Sequence, residues 1–447
     1  MNSKSTLMTE GPIYKQIIKF AFPILCGNIF QQLYNTVDSL VIGNFVGKES
    51  LAAISSTSSL IFLLVGLFTG IFSGAGVVIS RYFGAGDTKE VQASVHTSVA
   101  FGIISGVVMT IIGTLLAPQI LKLMGTPETV FDKAIVYVRI YFLGIITVVL
   151  YNTASGIFQA VGNSKSPLYY LITSSIINVI LDLLFVVVFK MGIAGAAIAT
   201  VIAQGVSVCL AFYNLSHTAD VHRVNFKKVK IHKDMLREIL SMGIPSGVQN
   251  SVIALANVVV QSNINSFGAA AAAGCGSYSR IEGFAFIPIT SFALSMTTFI
   301  GQNLGSQKYE RAKKGTYFGI ATSTILAEIV GIIFFLAAPT LIALFSNDPQ
   351  VIEYGTLQAR TIAPFFFLLA FSHCLAGILR GAGKSTVPML VMLSCWCIIR
   401  VLYITIATHL IPEIYVIFWA YPLTWSLSSI IFLIYYLKSN WLYGFEK

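Results

Sequence analysis

Residues 168–189 read LYYLITSSIINVILDLLFVVVF, an unbroken apolar run whose one charged side chain is Asp182. A helix rises 1.5 Å per residue, so about 20 such residues cross the ~30 Å of a bilayer's hydrocarbon. No Gly or Pro interrupts the run, and its length exceeds that of a soluble strand. The stretch therefore predicts a membrane-spanning helix with a carboxyl group inside it. Residues 103–121 and 320–344 are equally long and apolar.

With 56% hydrophobic and 10% charged residues over 447 positions, this much apolar surface has no place in a single water-soluble core. Hydropathy divides the chain into twelve spans, at 15–44, 51–80, 91–121, 128–160, 166–189, 193–215, 236–266, 270–301, 311–345, 350–379, 386–410 and 413–437. The expected fold class is an all-α polytopic membrane protein. Residues 1–19 are polar and carry no small-residue cleavage pattern, so the first span is expected to remain in place.

A net charge of +10 raises the question of nucleic acid, but the placement of Lys and Arg answers it differently. In the connections and adjoining span ends, 20 lie on the side of both termini and 4 on the other. Such a bias sets orientation and puts both termini in the cytoplasm. All six cysteines fall inside spans without CxxC or zinc-type spacing and read as packing residues.

The sequence repeats itself. An offset of 221 aligns Gly84 with Gly305, Pro118 with Pro339, Arg139 with Arg360, Gly162 with Gly383 and Pro167 with Pro388, and an offset of 222 aligns Pro23 with Pro245 and Asn28 with Asn250. With proline at only 13 positions, such coincidences mark an internal repeat. The twelve helices thus form two pseudo-symmetric six-helix lobes, residues 1–215 and 236–447, joined by a basic cytoplasmic linker at 216–235. An even number of crossings per half makes the repeat parallel. Pro23, Pro245, Pro288 and Pro364 are expected to kink their spans.

Residues that match across the repeat serve both halves as scaffold, so unmatched polar residues are the functional candidates. Asp38 aligns with a valine and Asp182 with Tyr403. Measured along their helices, Asp38 lies about 28 Å and Asp182 about 22 Å from the cytoplasmic ends, and Thr200 about 10 Å from the outer end of its span, which brings all three to a similar height. Asn178 lies one turn before Asp182 on the same face, and Tyr34 and Gln31 lie on the face of Asp38. Polar groups of the first, fifth and sixth spans are therefore expected to meet in one pocket. A buried carboxylate must be paired, solvated or protonated. Such a pocket can hold a proton, Na⁺ or an organic cation in turn, and the neutral oxygens of Asn178 and Thr200 suit an alkali ion better than a transition metal.

These residues resemble those of the multidrug and toxic compound extrusion (MATE) transporters. The resemblance runs through FAFPILCGNIFQQLYNTVDSLVIG around Asp38, RYFGAGD after the second span, FQAVGNSKSP after the fourth and NVILDLLFV around Asp182. It implies a secondary active exporter of the bacterial inner membrane that expels lipophilic cations against Na⁺ or H⁺ by alternating access. It implies no enzyme activity and no cofactor beyond the coupling ion. In the DinF-like branch the first-lobe cation site matches Asp38, Asn178, Asp182 and Thr200, as an H⁺ or Na⁺ seat. Gln31, Tyr34, Asn152, Asp182 and Glu282 are the candidate substrate contacts. The NorM-like branch adds acids in the second lobe, where this chain has Gln249 and Asn250 and no acid between Thr361 and Leu379.

Glu282 has no partner in the first half, and Arg280 stands close enough for a local ion pair; Glu328 and Arg400 are expected to pair within the second half. GAGKST at 381–386 imitates a nucleotide-binding loop, but the first glycine of that motif falls on Ile378. His373, alone on an apolar helix, reads as a packed, hydrogen-bonded side chain. The expected partners are small amphipathic cations and membrane lipids, with no nucleic acid, and the chain is expected to act as a monomer. The rival reading is a flippase or exporter of a lipid-linked or other amphipathic metabolite, which favours a cavity lined by Arg and Lys.

Overall fold

The computed structural model describes residues 5–123, 126 and 128–443; residues 1–4 and 444–447, the outer ends of the two expected lobes, lie outside them. The described residues form fifteen α-helices and no strands. The first half contains α1 (Ile13–Phe45), α2 (Lys48–Ala85), α3 (Thr88–Leu123), α4 (Glu128–Leu143), α5 (Ile145–Ala160), α6 (Lys165–Asp182) and α7 (Gly192–His217). The second contains α8 (Lys233–Asn265), α9 (Ala269–Gly305), α10 (Tyr309–Ala343), α11 (Pro349–Ile362), α12 (Phe366–Gly381), α13 (Thr386–Met392), α14 (Arg400–Leu410) and α15 (Tyr415–Lys438).

Ten helical segments among the described residues are long and apolar enough to cross a membrane, and α4 with α5, bent by 47°, makes an eleventh. The remaining expected span is α1, 33 residues long and interrupted by Gln31, Gln32, Asn35 and Asp38. The protein is an all-α, multi-pass membrane protein.

The repeat is visible in the backbone itself. Left-handed φ angles recur at an offset of 221: Gly47 and Gly268 at 105° and 103°, Gly86 and Gln307 at 73° and 57°, Gly162 and Gly383 at 79° and 76°. These turns demand a conformation that glycine adopts without a steric penalty, so the sequence keeps glycine at five of the six positions. Helix breaks recur too. The first half bends at Gly144 between α4 and α5, and the second carries a 3₁₀ turn at Ala363–Phe365, around Pro364, between α11 and α12. One break, two different chemistries.

The chain divides into two compact units: residues 1–7 with 26–247, and residues 8–25 with 248–447. The sequence reading cuts the chain once, in the linker; the contacts instead divide α1 and α8 internally, each just after a repeat-matched proline, Pro23 or Pro245. In the first unit, the start of α8 lies directly on α2. A Cβ on Gly70 or Gly74 would overlap the backbone of Gly247 or Gly243, so the four glycines, each pair four residues apart, allow the two backbones to touch. Glu238 extends this contact: its carboxylate accepts from Tyr82 Oη at 3.1 Å and lies 3.7 Å from Arg81. Residues 218–232 are fastened to α3 of the same unit, where Asn225 N donates to His96 Nε2 and His232 N to Thr97 Oγ1, both at 3.1 Å. In the second unit, Ile17, Phe20, Ala21 and Ile24 of α1 join an apolar core with Phe292, Phe299, Phe366, Trp425 and Phe432.

Candidate functional site

Asp182 stands on a helix that is otherwise almost wholly apolar, whereas Asp38 stands on α1 among Gln31, Gln32 and Asn35. α6 ends at Asp182, and the chain continues as a π-helical turn over Leu183–Val188. Wider turns of this kind cluster at functional sites, where they redirect side chains. Asp182 and Asn178 are 0% and 1% exposed.

Their side chains are joined across one helical turn. In the amide orientation that satisfies both neighbours, Asn178 Nδ2 donates to Asp182 Oδ2 at 2.8 Å and Asn178 Oδ1 accepts from Thr200 N at 3.2 Å. Thr200 on α7 anchors its hydroxyl on Ala196 O at 3.1 Å, and Tyr34 of α1 lies close to it. Asp38, one turn beyond Tyr34 on α1, brings its carboxyl group within hydrogen-bonding reach of Asp182. Oδ1 of each acid is buried without a hydrogen-bond partner. Leaving a carboxylate oxygen dry and unpaired costs several kcal/mol, and two acids in contact cannot both stay charged without a proton or cation between them. The arrangement is an anionic seat made of four side chains from α1, α6 and α7.

Five of the expected residues thus meet: Asp38, Asn178, Asp182, Thr200 and Tyr34. Gln31 is exposed on α1. Asn152 stands apart; its Nδ2 donates to Val148 O at 2.8 Å, and it borders a small, mainly apolar pocket with Phe68, Phe72 and Met109. Tyr137 and Tyr141 of α4 come within electrostatic range of the seat, Tyr137 sensing both acids and Tyr141 sensing Tyr34, and their rings stack at 6.4 Å. Sequence reading passed over them. Their one signal is the four-residue spacing that puts both rings on one face of α4.

Glu282 belongs to the second unit, on α9. Its partner is not Arg280, whose guanidinium lies over the Phe345 ring at 6.0 Å; Tyr278 Oη donates to Glu282 Oε1 at 3.1 Å, and the positive charge acting on Glu282 is that of Arg400. Glu328, expected to pair with a second-half cation, instead accepts from Phe367 N at 3.4 Å. His373 is packed as expected, between Phe286 and Trp396, but its Nε2 is buried without a partner. Four of the six cysteines are buried as packing residues, Cys26 is half-buried and Cys209 is exposed.

The MatE family model matches this chain twice, over residues 23–184 and again over 245–406. The chain belongs to the MatE family. Both matches begin at the prolines where the contact units divide α1 and α8. Among relatives, the "Probable multidrug resistance protein YpnP" of Bacillus subtilis (strain 168) is 28% identical over 391 residues, covering 87% of each chain. The "Probable multidrug resistance protein YoeA" of the same organism is 26% identical over 436 residues, covering 96% of this chain and 94% of its own. Among solved structures, "Crystal structure of MATE in complex with MaL6" superposes with a TM-score of 0.92 at 22% identity over 99% of both chains, which establishes the shared fold. MatE proteins are multidrug efflux transporters that handle small organic substrates, not enzymes.

Proposed function

We propose that this MatE chain is a secondary active exporter that moves lipophilic organic cations out of the cell in exchange for Na⁺ or H⁺. One observation carries the reading. Asp38 and Asp182 lie together in a membrane-length helix cluster, each with a buried Oδ1 that no donor satisfies. Their neighbours, Asn178 and Thr200, contribute neutral oxygens, so the donor set is all oxygen and net negative. Such a set suits a proton or an alkali ion and does not suit a soft metal.

Coupling follows from occupancy. A proton or Na⁺ between the two acids lowers the negative charge of the seat and weakens its attraction for an organic cation. A seat that gives up its ion needs another positive charge in its place, and an organic cation supplies it. Asp38 and Tyr34 both stand on α1, so a change of occupant acts on the helix that both units share. We place both termini and the 216–235 linker in the cytoplasm of a bacterial inner membrane, on the strength of the Lys and Arg bias.

Vesicles carrying the purified chain, given a pure Na⁺ gradient and then a pure pH gradient, test this reading. One gradient is expected to drive uptake of tetraphenylphosphonium by the wild type, and neither is expected to do so in Asp38→Asn or Asp182→Asn present at wild-type amounts. Undiminished transport in both variants would return the acids to a structural role.

A further inference from the structure

In the first unit, Gln92, His96 and Thr97 of α3 hold the linker that leads into α8. Gln92 Nε2 donates to Val221 O at 2.6 Å, Asn225 N donates to His96 Nε2 at 3.1 Å, and His232 N donates to Thr97 Oγ1 at 3.1 Å. Val224 of the linker is 1% exposed and shares an apolar core with Val91, Val95 and Val99 of α3. His96 is itself 3% exposed, so its ring has little water to turn to when a partner is lost.

Of these bonds, only the one at His96 can be switched off by a proton. A peptide N–H only donates, so Nε2 of His96 must offer Asn225 a lone pair, which a neutral imidazole has and an imidazolium lacks. Protonation therefore sets two N–H groups against each other. The Gln92 amide and the Thr97 hydroxyl do not titrate in this range. The charged or titratable groups that act on His96 are Lys228 and His232 of the linker, and positive charge there adds to the repulsion of a protonated ring. The start of α8 meets this part of α3 with uncharged Met235, whose Sδ accepts from Ser94 Oγ at 3.1 Å, and α5 and α7 meet it with Phe158 and Phe212.

The repeat shows that a histidine is not needed for strapping as such. In the second unit, residues 8–11, which lead into α1, are held by Arg311 of α10, whose guanidinium donates to the carbonyls of Met8, Glu10 and Gly11 at 3.1, 2.9 and 2.7 Å. A guanidinium keeps its charge at every physiological pH, so that clamp does not respond to protons. At the offset of 221, His96 meets Tyr317. The titratable clamp is thus one more unmatched polar residue, and it belongs to the first unit alone.

We propose that His96 is a pH switch for the linker: a neutral ring accepts from Asn225 and keeps residues 218–232 docked on α3, and a protonated ring releases them. Docking is complete well above the ordinary histidine value of about 6.5 and weakens as pH falls through and below it. Because the docked ring has no lone pair to spare at Nε2, the undocked population rises about tenfold between pH 7.5 and 5.5. The switch acts on the entry to α8 and not on the seat at Asp38 and Asp182, so it stands whichever ion drives transport.

The test is hydrogen–deuterium exchange of the full chain in detergent at pH 7.5 and 5.5, read at peptides covering the linker and corrected for the intrinsic exchange rate at each pH. The native chain is expected to lose at least about tenfold in protection at the lower pH. His96→Gln, whose side-chain carbonyl accepts without titrating, is expected to shrink that loss by about tenfold. Thr97→Ala removes a bond that no proton governs; it is expected to lower protection at both pH values and to keep the native loss between them, which a merely structural role for His96 does not predict of one variant and not the other. His222, also buried in the linker, is checked by His222→Asn, which should still lose about tenfold. Equal protection of the native chain at both pH values, an undiminished loss in His96→Gln, or a loss abolished by His222→Asn would overturn the switch.

Discussion

The two units descend from one repeat, yet they fill their polar centres in opposite ways. In the first, Asp38 and Asp182 meet, and the described side chains named around them, Asn178, Thr200 and Tyr34, are neutral. In the second, Glu282 lies within range of a resident cation, Arg400, itself held by Thr424 and Tyr421. A buried anion without its own cation must borrow one from outside, whereas one with a built-in partner does not. The difference teaches that duplication supplied the scaffold of turns and breaks, and that a few unmatched charges assigned each half a separate task.

The comparison is broken most severely by giving the first unit a cation of its own. Asn178→Lys, placed beside Asp182, should mimic the second unit and abolish ion-driven export, with a fall of at least about a hundredfold in initial rate, while Glu282→Gln should retain ion-driven transport of a simple cation. Vesicle uptake of tetraphenylphosphonium measures both. Equal losses in the two variants would erase the distinction between the units.

A milder change sharpens it. Thr200→Ala removes one oxygen from the seat, and is expected to weaken binding of the coupling ion by roughly 1–3 kcal/mol. Isothermal titration with Na⁺ and with acid reads that loss, and Thr424→Ala in the second unit should leave the ion titration unmoved. Tyr34→Phe, which keeps the Thr200 oxygen, is expected to cost less, about 1 kcal/mol.

The smallest expected effect concerns stability and separates it from coupling. His222, in the segment after α7, is 1% exposed, and burial keeps it neutral with its pKa below the ordinary value of 6.5. The folded chain therefore takes up this proton less readily than the unfolded chain. Stability is complete above pH 6.5 and falls as pH drops through the window between 6.5 and the lowered pKa, by up to about 1.4 kcal/mol per unit. Thermal unfolding of wild type and His222→Asn between pH 7.5 and 5 should show a shallower decline in the variant. With that background removed, the remaining pH dependence of ion binding belongs to the acid pair.

Much of this was legible in the chain. Left-handed turns need glycine, so the repeat survives as aligned glycines, and a lone acid in an apolar run announces itself because nothing else there is charged. Asn178 and Asp182 could be placed on one face because α6 stays regular up to Asp182. The division of α1 and α8 was not legible, since hydropathy records that a span exists and not which neighbours it packs on. Neither was the approach of Glu282 to Arg400. These residues stand 118 positions apart, and the π-helical turn before Arg400 shifts the face that regular 3.6-residue counting assigns to it. Tyr137 and Tyr141 were hidden for a different reason: among 32 Phe and 19 Tyr, aromatic spacing alone carries little information.

The central claim is that ion and organic cation compete for one seat between Asp38 and Asp182. It is tested most directly by measuring the apparent Kd of tetraphenylphosphonium against rising Na⁺ at fixed pH, and against rising H⁺ at fixed Na⁺, in wild type and in the Asp38→Asn, Asp182→Asn double variant. The account predicts a Kd that climbs in proportion to the coupling ion in wild type and stays flat in the double variant. A Kd indifferent to both ions in wild type, or one that falls as they are added, would contradict it.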